Sequence, residues 1–475
     1  MAESFPIDQL PTELLGKVFC HMLDNDLPHY DQRAYFVDES FGLARVSRAF
    51  RSVALSTPRL WAGVDFNCAK MEANGEIWIH YLKNVLERSK DAPLNVRLFQ
   101  VTVDGGEMLA RRKRLEVGTY ERVPERPLSI WAVEAILEHK HRLRSLYVSM
   151  TNTTDELPRA FGTGALPLLE SFTIKHHAVV RPLQDNLFIE APRLHELRVD
   201  SQLFSRDHGR TRPFLQKLSQ LELSNIAGID IDVLFGILES CSSSDTLKVR
   251  GRLNELTISG GHAFVSHRET MTYRPDLVFP NLKTLRLNGP AIWHVVELVD
   301  YLNFPALRTA SIMDINISQP LHRRFLQQCC LYVRNLTVQT PYASPNLPVT
   351  SSGFIADILA WCPDLVELTV SNYTLRMGDI NALVSSARQL SAVSKTDEPD
   401  FIPGSNLTSL SLPFGAFQVD YRDAIVSGLL QFVELRQRAV ERGMVAPPLR
   451  KVNLNHHLDR EAEVLALTIQ AMVSV

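Results

Sequence analysis

The 475-residue chain has few of the features that mark several common classes of protein. Its six cysteines form no Cys-x-x-Cys pair, so neither a disulfide framework nor a zinc site is predicted, and reduced, buried thiols are expected. The formal net charge of −3 gives no electrostatic reason to expect nucleic acid or an anionic membrane as the main partner. No segment approaches the ~20 consecutive apolar residues that a membrane-spanning helix needs.

Signatures of catalysis are also missing. The sequence has no glycine-rich phosphate loop, no Gly-x-Ser-x-Gly and no His-Glu-x-x-His. We therefore expect a non-catalytic protein with no cofactor and no metal. The N-terminal residues Met1-Ala2-Glu3-Ser4 are acidic and lack the basic-then-apolar pattern of a secretory signal, which favours an intracellular protein of the cytoplasm, the nucleus or both.

What the chain does contain is a repeat of the form Leu-x-x-Leu-x-Leu from about residue 140 to residue 455. Successive copies begin 24 residues apart (Leu194 and Leu218) to 42 residues apart (Leu365 and Leu407). A period of this size is typical of a solenoid, in which each unit buries its apolar face only against its neighbours. The copies begin at Leu143, Leu169, Leu194, Leu218, Leu253, Leu282, Leu307, Val333, Leu365, Leu407 and Leu449.

The repeat alternates with helical stretches, which predicts an α/β fold. In each strand the second and third apolar residues point inward and the residue between them points outward. Parallel strands joined by helices predict an irregular leucine-rich-repeat solenoid, a curved parallel sheet with helices on its convex side. We expect this solenoid with a C-terminal cap over residues 129–475, and a transition segment with a first irregular repeat and a charged loop over 67–128.

Residues 1–66 do not follow the repeat and predict a small all-α domain. Thr12 is a candidate N-cap for a helix running to Leu23, and a second helix is expected from Phe41 to about Leu55. Thr57-Pro58 ends the second helix. The two helices predict a helical hairpin too small to be very stable without a partner or the rest of the chain behind it.

The N-terminal segment Leu10-Pro11-Thr12-Glu13-Leu14, together with residues 43–54 and the following Leu60-Trp61, resembles the F-box family. Ser47 and Phe50 depart from it, since Cys and Trp are common at those two places. The resemblance implies docking on a Skp-type adaptor that carries a cullin and a RING subunit of a ubiquitin ligase complex. It also implies that the repeats hold a protein substrate. By position, the adaptor-binding residues would be Leu10, Pro11, Leu14, Leu15, Val18 and Phe19.

The outward positions of the predicted strands form a polar row. Tyr147, Arg198, Glu222 and Arg286 are the candidate substrate-binding residues, because tyrosine and arginine are favoured binding anchors. A solvated strand face is the alternative interpretation of this row. The sequence therefore predicts a substrate receptor of a Skp–cullin–F-box ubiquitin ligase. The competing hypothesis is a leucine-rich interaction scaffold whose helical hairpin is only an N-terminal cap.

Overall fold

The fold is α/β in the computed structural model, which divides into two compact units. Unit 1 comprises Met1–His208 with Arg212–Leu218, and unit 2 comprises Gly209–Thr211 with Ser219–Val475. The structure describes residues 10–25, 36–67, 75–99, 128–150, 165–176, 191–200, 204, 214–226, 231–242, 251–260, 275–289, 292–316, 319–341, 353–373, 375–392, 402, 404–413, 422–442 and 447–455.

Unit 1 begins with three helices and continues with strands and helices. The five strands among its described residues lie in chain order, and each pairs in parallel with the next. The elements are α1 (Thr12–Asn25), α2 (Phe36–Val46), α3 (Arg48–Ser56), β1 (Gly63–Asn67), α4 (Gly75–Arg88), β2 (Leu94–Phe99), α5 (Leu128–Leu137), β3 (Leu143–Met150), β4 (Ser171–His176) and β5 (Glu196–Asp200).

Unit 2 alternates strands and helices. Eight of its strands, β6, β7, β9 and β11–β15, pair in parallel in that order, while the two-residue strands β8 and β10 pair with each other. The elements are β6 (Gln220–Ser224), α6 (Ile231–Cys241), β7 (Glu255–Ser259), β8 (Leu277–Val278), β9 (Thr284–Asn288), α7 (Ile292–Glu297), β10 (Leu302–Asn303), β11 (Thr309–Met313), α8 (Pro320–Cys329), β12 (Asn335–Gln339), α9 (Phe354–Trp361), β13 (Glu367–Ser371), α10 (Met377–Ala392), β14 (Ser409–Pro413), α11 (Arg422–Glu441) and β15 (Lys451–Asn455).

The predicted α/β class and parallel strand pairing are confirmed, and so is the inward direction of the repeat's apolar positions. Every described side chain of the eleven Leu-x-x-Leu-x-Leu copies is buried, and Leu449, at 5% exposure, is the most accessible. Within each unit these side chains stack from strand to strand, as in the pairs Leu146↔Phe172 and Leu256↔Leu285. Burying one such leucine contributes about 1.5–3 kcal/mol, so the repeated inner row is the main stabilising feature of both units.

A tight turn precedes most strands, and proline favours it. The N–H of the repeat's first leucine donates to the carbonyl three residues earlier, as in Leu194 to Ala191 (3.2 Å) and Leu307 to Phe304 (3.2 Å). Pro192 and Pro305 each occupy the second position of such a turn, where the fixed φ of proline is favourable. The turn places the first leucine inward and starts the strand in register with its neighbour.

In unit 2 most of the paired strands are followed directly by a residue with left-handed backbone conformation. This residue comes two positions after the third apolar residue, as at Asn225 (φ 55°), Gly289 (φ 70°) and Asn372 (φ 55°). Glycine, asparagine and aspartate adopt this conformation at least cost. Gly260 (φ 111°) has a second constraint, since a Cβ there would lie 2.4 Å from the backbone nitrogen of Asn225.

Among the described residues, each unit has one buried arginine that donates to backbone carbonyls. Arg142 in unit 1 donates to Leu86 O (2.8 Å) and Ala92 O (3.3 Å), and also to the hydroxyl of Ser89 (2.8 Å). Arg436 in unit 2 donates to four carbonyls, the shortest bond being to Leu407 O (2.6 Å). Burial lowers the pKa of Arg436 to about 10, so this guanidinium stays charged at neutral pH. Both arginines tie the segment between a helix and a strand to the rest of its unit.

The structure also departs from the sequence-based expectations. Residues 36–56 form two helices, broken at Ser47, where one helix from Phe41 to about Leu55 was predicted. Ser47 has extended backbone, and its hydroxyl accepts from Phe50 N (3.1 Å), so it caps α3. Helix α10 and strand β1 were not predicted. The predicted cap at 461–475 and the charged loop at 104–127 lie outside the described residues.

Candidate binding surfaces

Helix α1 has two apolar faces, because its large side chains cover more than one stripe. Leu15 and Phe19 are buried, and the Phe19 ring lies 5.0 Å from that of Phe50 on α3. These side chains form the interior of the three-helix region. Two of the six predicted adaptor-binding residues therefore stabilise the protein's own fold.

The other face of α1 is open. Leu14 is 46% exposed, Val18 37% and Met22 54%, at the i, i+4 and i+8 spacing that aligns side chains along one face of a helix. Pro11 is exposed and Leu10 half-buried. Three consecutive turns thus present large apolar side chains to solvent, beside the two predicted residues that precede the helix.

The three helices are fixed to the first repeat of unit 1 through an aromatic cluster. Phe41 on α2 lies 5.0 Å from the Trp61 ring and 5.3 Å from the Tyr81 ring on α4. The Arg88 guanidinium lies over both Phe41 and Trp61, at 5.5 and 4.7 Å. Trp61 also donates from Nε1 to Ala54 O (2.8 Å) at the end of α3. Ring packing and hydrogen bonding together hold the helices in one orientation on the sheet.

The outward positions of the strands fall in one register in each unit. In unit 1 the central row of this outer face joins β1 to β5, and in unit 2 it joins β6 to β15. Together, the two rows contain every outward residue predicted from the sequence. In unit 1 its members are Asp65, Arg97, Tyr147, Thr173 and Arg198. In unit 2 its members are Glu222, Thr257, Arg286, Ser311, Thr337, Thr369, Ser411 and Asn453.

In unit 1 much of the outer face is buried. Tyr147 is 9% exposed, Thr173 7% and Phe99 8%. The Tyr147 ring is approached by two cations, the Arg97 guanidinium carbon at 5.1 Å and the Lys175 ammonium at 6.0 Å from its centre. The predicted anchor Tyr147 therefore belongs to a packed polar cluster.

Arg198, the other predicted anchor of unit 1, is half-buried and pairs with Glu196 at 2.7 Å. Asp65 faces Arg97 across the β1–β2 pair, with Oδ2 4.0 Å from Nη1. Burial raises the pKa of Asp65 to about 6, although the Arg97 charge acts in the opposite direction. A carboxyl group in this position is far less acidic than one in water.

The central row of unit 2 is more open and less charged. Glu222 is half-buried, and Arg286 is exposed and pairs with Glu255 at 3.1 Å. The remaining positions carry small hydroxyl side chains at intermediate exposure, apart from Asn453 at the last strand. The predicted residues of the two units are thus placed on the expected face, but in different surroundings.

Sequence reasoning missed four members of the unit 1 cluster: Asp65, Arg97, Phe99 and Lys175. Asp65 was missed because β1 was not predicted. Arg97 and Phe99 lie at outward positions of β2, and Lys175 lies one outward position beyond Thr173 on β4. Inward and outward residues alternate along β2 and β4, and this alternation would have identified Arg97, Phe99 and Lys175 as outward residues.

No protein-family model and no curated protein matches this chain. Among the described helices, none combines the length and apolar character required to cross a bilayer. Within the same residues, no group of three or more histidine, cysteine, aspartate or glutamate side chains converges on a point where a metal ion would be held.

Proposed function

We propose that the protein is a non-catalytic substrate receptor of a Skp–cullin–F-box ubiquitin ligase, built from an F-box-like helical unit and a leucine-rich-repeat solenoid. The observation that carries this proposal is the open apolar face of α1, Leu14, Val18 and Met22. An apolar helix face exposed over three turns suits a hydrophobic groove in a partner, where a few aliphatic anchors dominate the binding energy. The position of this face beside Leu10-Pro11 agrees with the F-box resemblance.

The proposed mechanism is an increase in effective concentration. The adaptor would hold the helices, and the outer strand face would hold the substrate, so that a substrate lysine attacks the ubiquitin thioester in a nearly intramolecular reaction. Such a mechanism requires a fixed geometry between the docking helix and the sheet. The aromatic cluster around Phe41, Trp61 and Tyr81 supports that requirement, since it packs the helices on the first repeat.

The same cluster also favours a second candidate function, an interaction scaffold in which the three helices cap the sheet. A cap needs a buried face toward the repeats, which the cluster supplies, but it does not need the exposed row on α1. The two functions therefore differ in one feature, the use of Leu14, Val18 and Met22.

Adaptor capture by the full chain tests the proposal. A Leu14→Ala/Val18→Ala/Met22→Ala variant should lose at least about 100-fold in affinity for a purified Skp-type adaptor, because three apolar anchors are removed. Ile77→Ala is the matched control, since Ile77 is 69% exposed on α4, outside the three helices. Phe19 is unsuitable, because its replacement would damage the interior around Phe50.

Capture of the adaptor by wild type and Ile77→Ala, but not by the triple variant, would support the receptor. Failure of the wild type to bind would leave the scaffold function, and equal binding by all three proteins would show that Leu14, Val18 and Met22 do not form the docking face. Thermal unfolding of each protein checks that the variants are folded.

A further inference from the structure

Three exposed cations lie side by side in unit 2, at the edge of the sheet where the strands begin. Lys283, Arg308 and Arg334 each follow directly after the first apolar residue of a repeat, just before β9, β11 and β12. Their backbones are in register, since Arg308 N donates to Lys283 O (2.9 Å) and Arg334 N donates to Arg308 O (2.8 Å). Adjacent strands are about 4.8 Å apart, so the three positions span about 10 Å. We call these three residues the basic row.

The charges of the basic row are not neutralised within the chain. No ion pair joins its side chains to an acidic residue in the part of the chain that the structure describes. Glu255 on β7 pairs with Arg286 instead, at 3.1 Å, and neither Asp364 nor Glu367, at β13, forms an ion pair with the row. Like charges side by side on neighbouring strands are destabilising. The row therefore costs stability, and the apolar repeat does not require it.

Unit 1 shows the same position of the repeat in a neutralised form. Arg144 and Glu170 occupy it at β3 and β4, where Glu170 N donates to Arg144 O (2.7 Å), and their side chains meet at 2.8 Å. Side chains at this position can therefore reach one another across the spacing between strands. In the basic row the same spacing brings positive charges together, so an acidic group placed against the row would interact with more than one of them.

Two large apolar side chains lie beside the basic row. Leu331 and Tyr332, in the turn before β12, are 42% and 44% exposed. Arg308 donates from Nη1 to Tyr332 O (3.0 Å), which holds its guanidinium against this turn. The bond uses one of the five guanidinium N–H donors and leaves the positive charge in place. Tyrosine and arginine are enriched at protein interfaces, where a few such anchors supply most of the binding energy.

We propose that the basic row, with Leu331 and Tyr332, binds an acidic segment of a partner protein, whose carboxylates lie against the cations and whose apolar side chains lie on the turn. The row is short, since the uncharged residues Asn254 and Val366 occupy the same position on either side of it. A nucleic-acid backbone is held through many phosphates, whereas a few carboxylates can occupy three cations. This surface lies outside α1 and outside the central outer row, so it is separate from both surfaces of the proposed function.

Fluorescence polarisation with the full chain tests this surface. The probes are a short fluorescent peptide mixture of glutamate, aspartate, leucine and phenylalanine, and a neutral mixture in which glutamine and asparagine replace the acids. The acidic peptides should bind at least about tenfold more tightly than the neutral peptides, because three exposed charge contacts are added. Added NaCl should weaken them, since exposed charges are screened. A mixed-sequence single-stranded DNA that binds more tightly than the acidic peptides would overturn the assignment to a protein partner.

A double variant locates the charge contacts. Lys283→Gln/Arg334→Gln removes the two outer charges of the basic row and should weaken the acidic peptides about tenfold, with a smaller dependence on salt. Arg450→Gln is the matched control, since Arg450 is exposed at the same position of the repeat at β15, beside the neutral Thr408. All three side chains are exposed, so thermal unfolding should show folded variants.

Tyr332→Ala tests the apolar part of the surface, because it removes the ring and keeps the carbonyl that Arg308 uses. It should weaken the acidic peptides about fivefold, and wild-type affinity would overturn the role of the turn. Equal affinity for acidic and neutral peptides would overturn the whole proposal, as would wild-type affinity in the double variant or the same loss in Arg450→Gln. Adaptor capture should be unchanged in every variant, since none alters α1, so failure of either proposal leaves the other standing.

Discussion

In unit 1 the central outer row carries Asp65, Arg97 and Tyr147, whereas in unit 2 the same row carries mainly serine and threonine. The inner rows of the two units do not differ in this way, since both consist mainly of leucine, isoleucine and valine, with Phe172 in unit 1 and Ala310 in unit 2 as exceptions. The repeat therefore constrains only one face of each strand. Differences in function between the units are to be sought on the other face, where the residues are free to vary.

The strand ends differ as well. In unit 2 several strands are followed by a residue with left-handed backbone conformation, as at Asn225, Gly260 and Asp314. In unit 1, β3 continues to Met150 and β4 to His176, and Lys90 is the only described residue of that unit with positive φ. The strands of unit 2 end one residue after the third apolar residue, as at Ser259 and Met313, whereas β3 and β4 of unit 1 continue for one residue more.

The largest expected effect tests the claim that the inner faces are equivalent. Leu285→Ala in unit 2 and Leu146→Ala in unit 1 each remove a side chain that is 1% exposed from the second position of a repeat. Each should lower the free energy of unfolding by about 2–5 kcal/mol, because a cavity remains in a tightly packed row. Urea denaturation measures the loss, and hydrogen exchange of β9 and β3 locates it.

One control accompanies this pair. Leu331→Ala, at an exposed leucine of unit 2, should change the free energy of unfolding by less than about 0.5 kcal/mol. A large loss in one unit and a negligible loss in the other would contradict the equivalence of the two inner faces.

Arg142 and Arg436 allow the contribution of buried hydrogen bonds to stability to be compared between the two units. Arg436→Met leaves four carbonyls without their donor and should cost about 3 kcal/mol, whereas Arg142→Met leaves two carbonyls and one hydroxyl and should cost about 2 kcal/mol. Methionine retains much of the apolar stem, so the difference reports the hydrogen bonds. Chemical denaturation of both variants provides the measurement.

Arg450→Met serves as the surface control, because Arg450 is exposed in the turn before β15. An Arg436 variant as stable as this control would mean that water replaces the guanidinium. A larger cost for Arg142 than for Arg436 would contradict the expected order.

Much of this fold could be predicted from the sequence, because the inner face has a strict pattern. The positions Leu146, Leu221 and Leu368 follow from a spacing that only a strand buried on one face requires. The outward row followed from the same spacing, since side chains alternate along a strand. The Leu14 and Val18 positions on α1 were predicted as binding residues, and their exposure is consistent with that role.

Other features depend on contacts that no local pattern encodes. The helical period over α1 did not distinguish Phe19, which packs on Phe50, from Leu14, which faces solvent, because both lie on one broad apolar stripe. The helix is interrupted at Ser47 because the Ser47 hydroxyl accepts a hydrogen bond from Phe50 N and caps α3, an alternative to continuing the helix through this residue. Strand β1 was not recognised as a repeat, because its inner residues are Trp61, Val64 and Phe66 and contain no leucine, so the Asp65–Arg97 pair was not predicted.

The smallest expected effect concerns the pH dependence of unit 1. Folding raises the pKa of Asp65 from 3.8 to about 6, so the folded state binds a proton more tightly than the unfolded state does. This contribution to stability is fully present below about pH 4 and is lost as the pH rises through about 6. Asp65→Asn removes the buried charge and should therefore be more stable than wild type at pH 8, by about 1–2 kcal/mol after allowance for partial exposure.

Urea denaturation of wild type and Asp65→Asn between pH 4 and pH 8 measures this difference, which should shrink toward zero at the acid end. Asp364→Asn is the matched control in unit 2, since Asp364 is exposed in the turn before β13. A constant difference across the pH range would show that Asp65 does not titrate in it. An Asp65 variant less stable than wild type at pH 8 would mean that the contact with Arg97 outweighs the cost of burying the carboxylate, and that the outer face of unit 1 is held together mainly by charge.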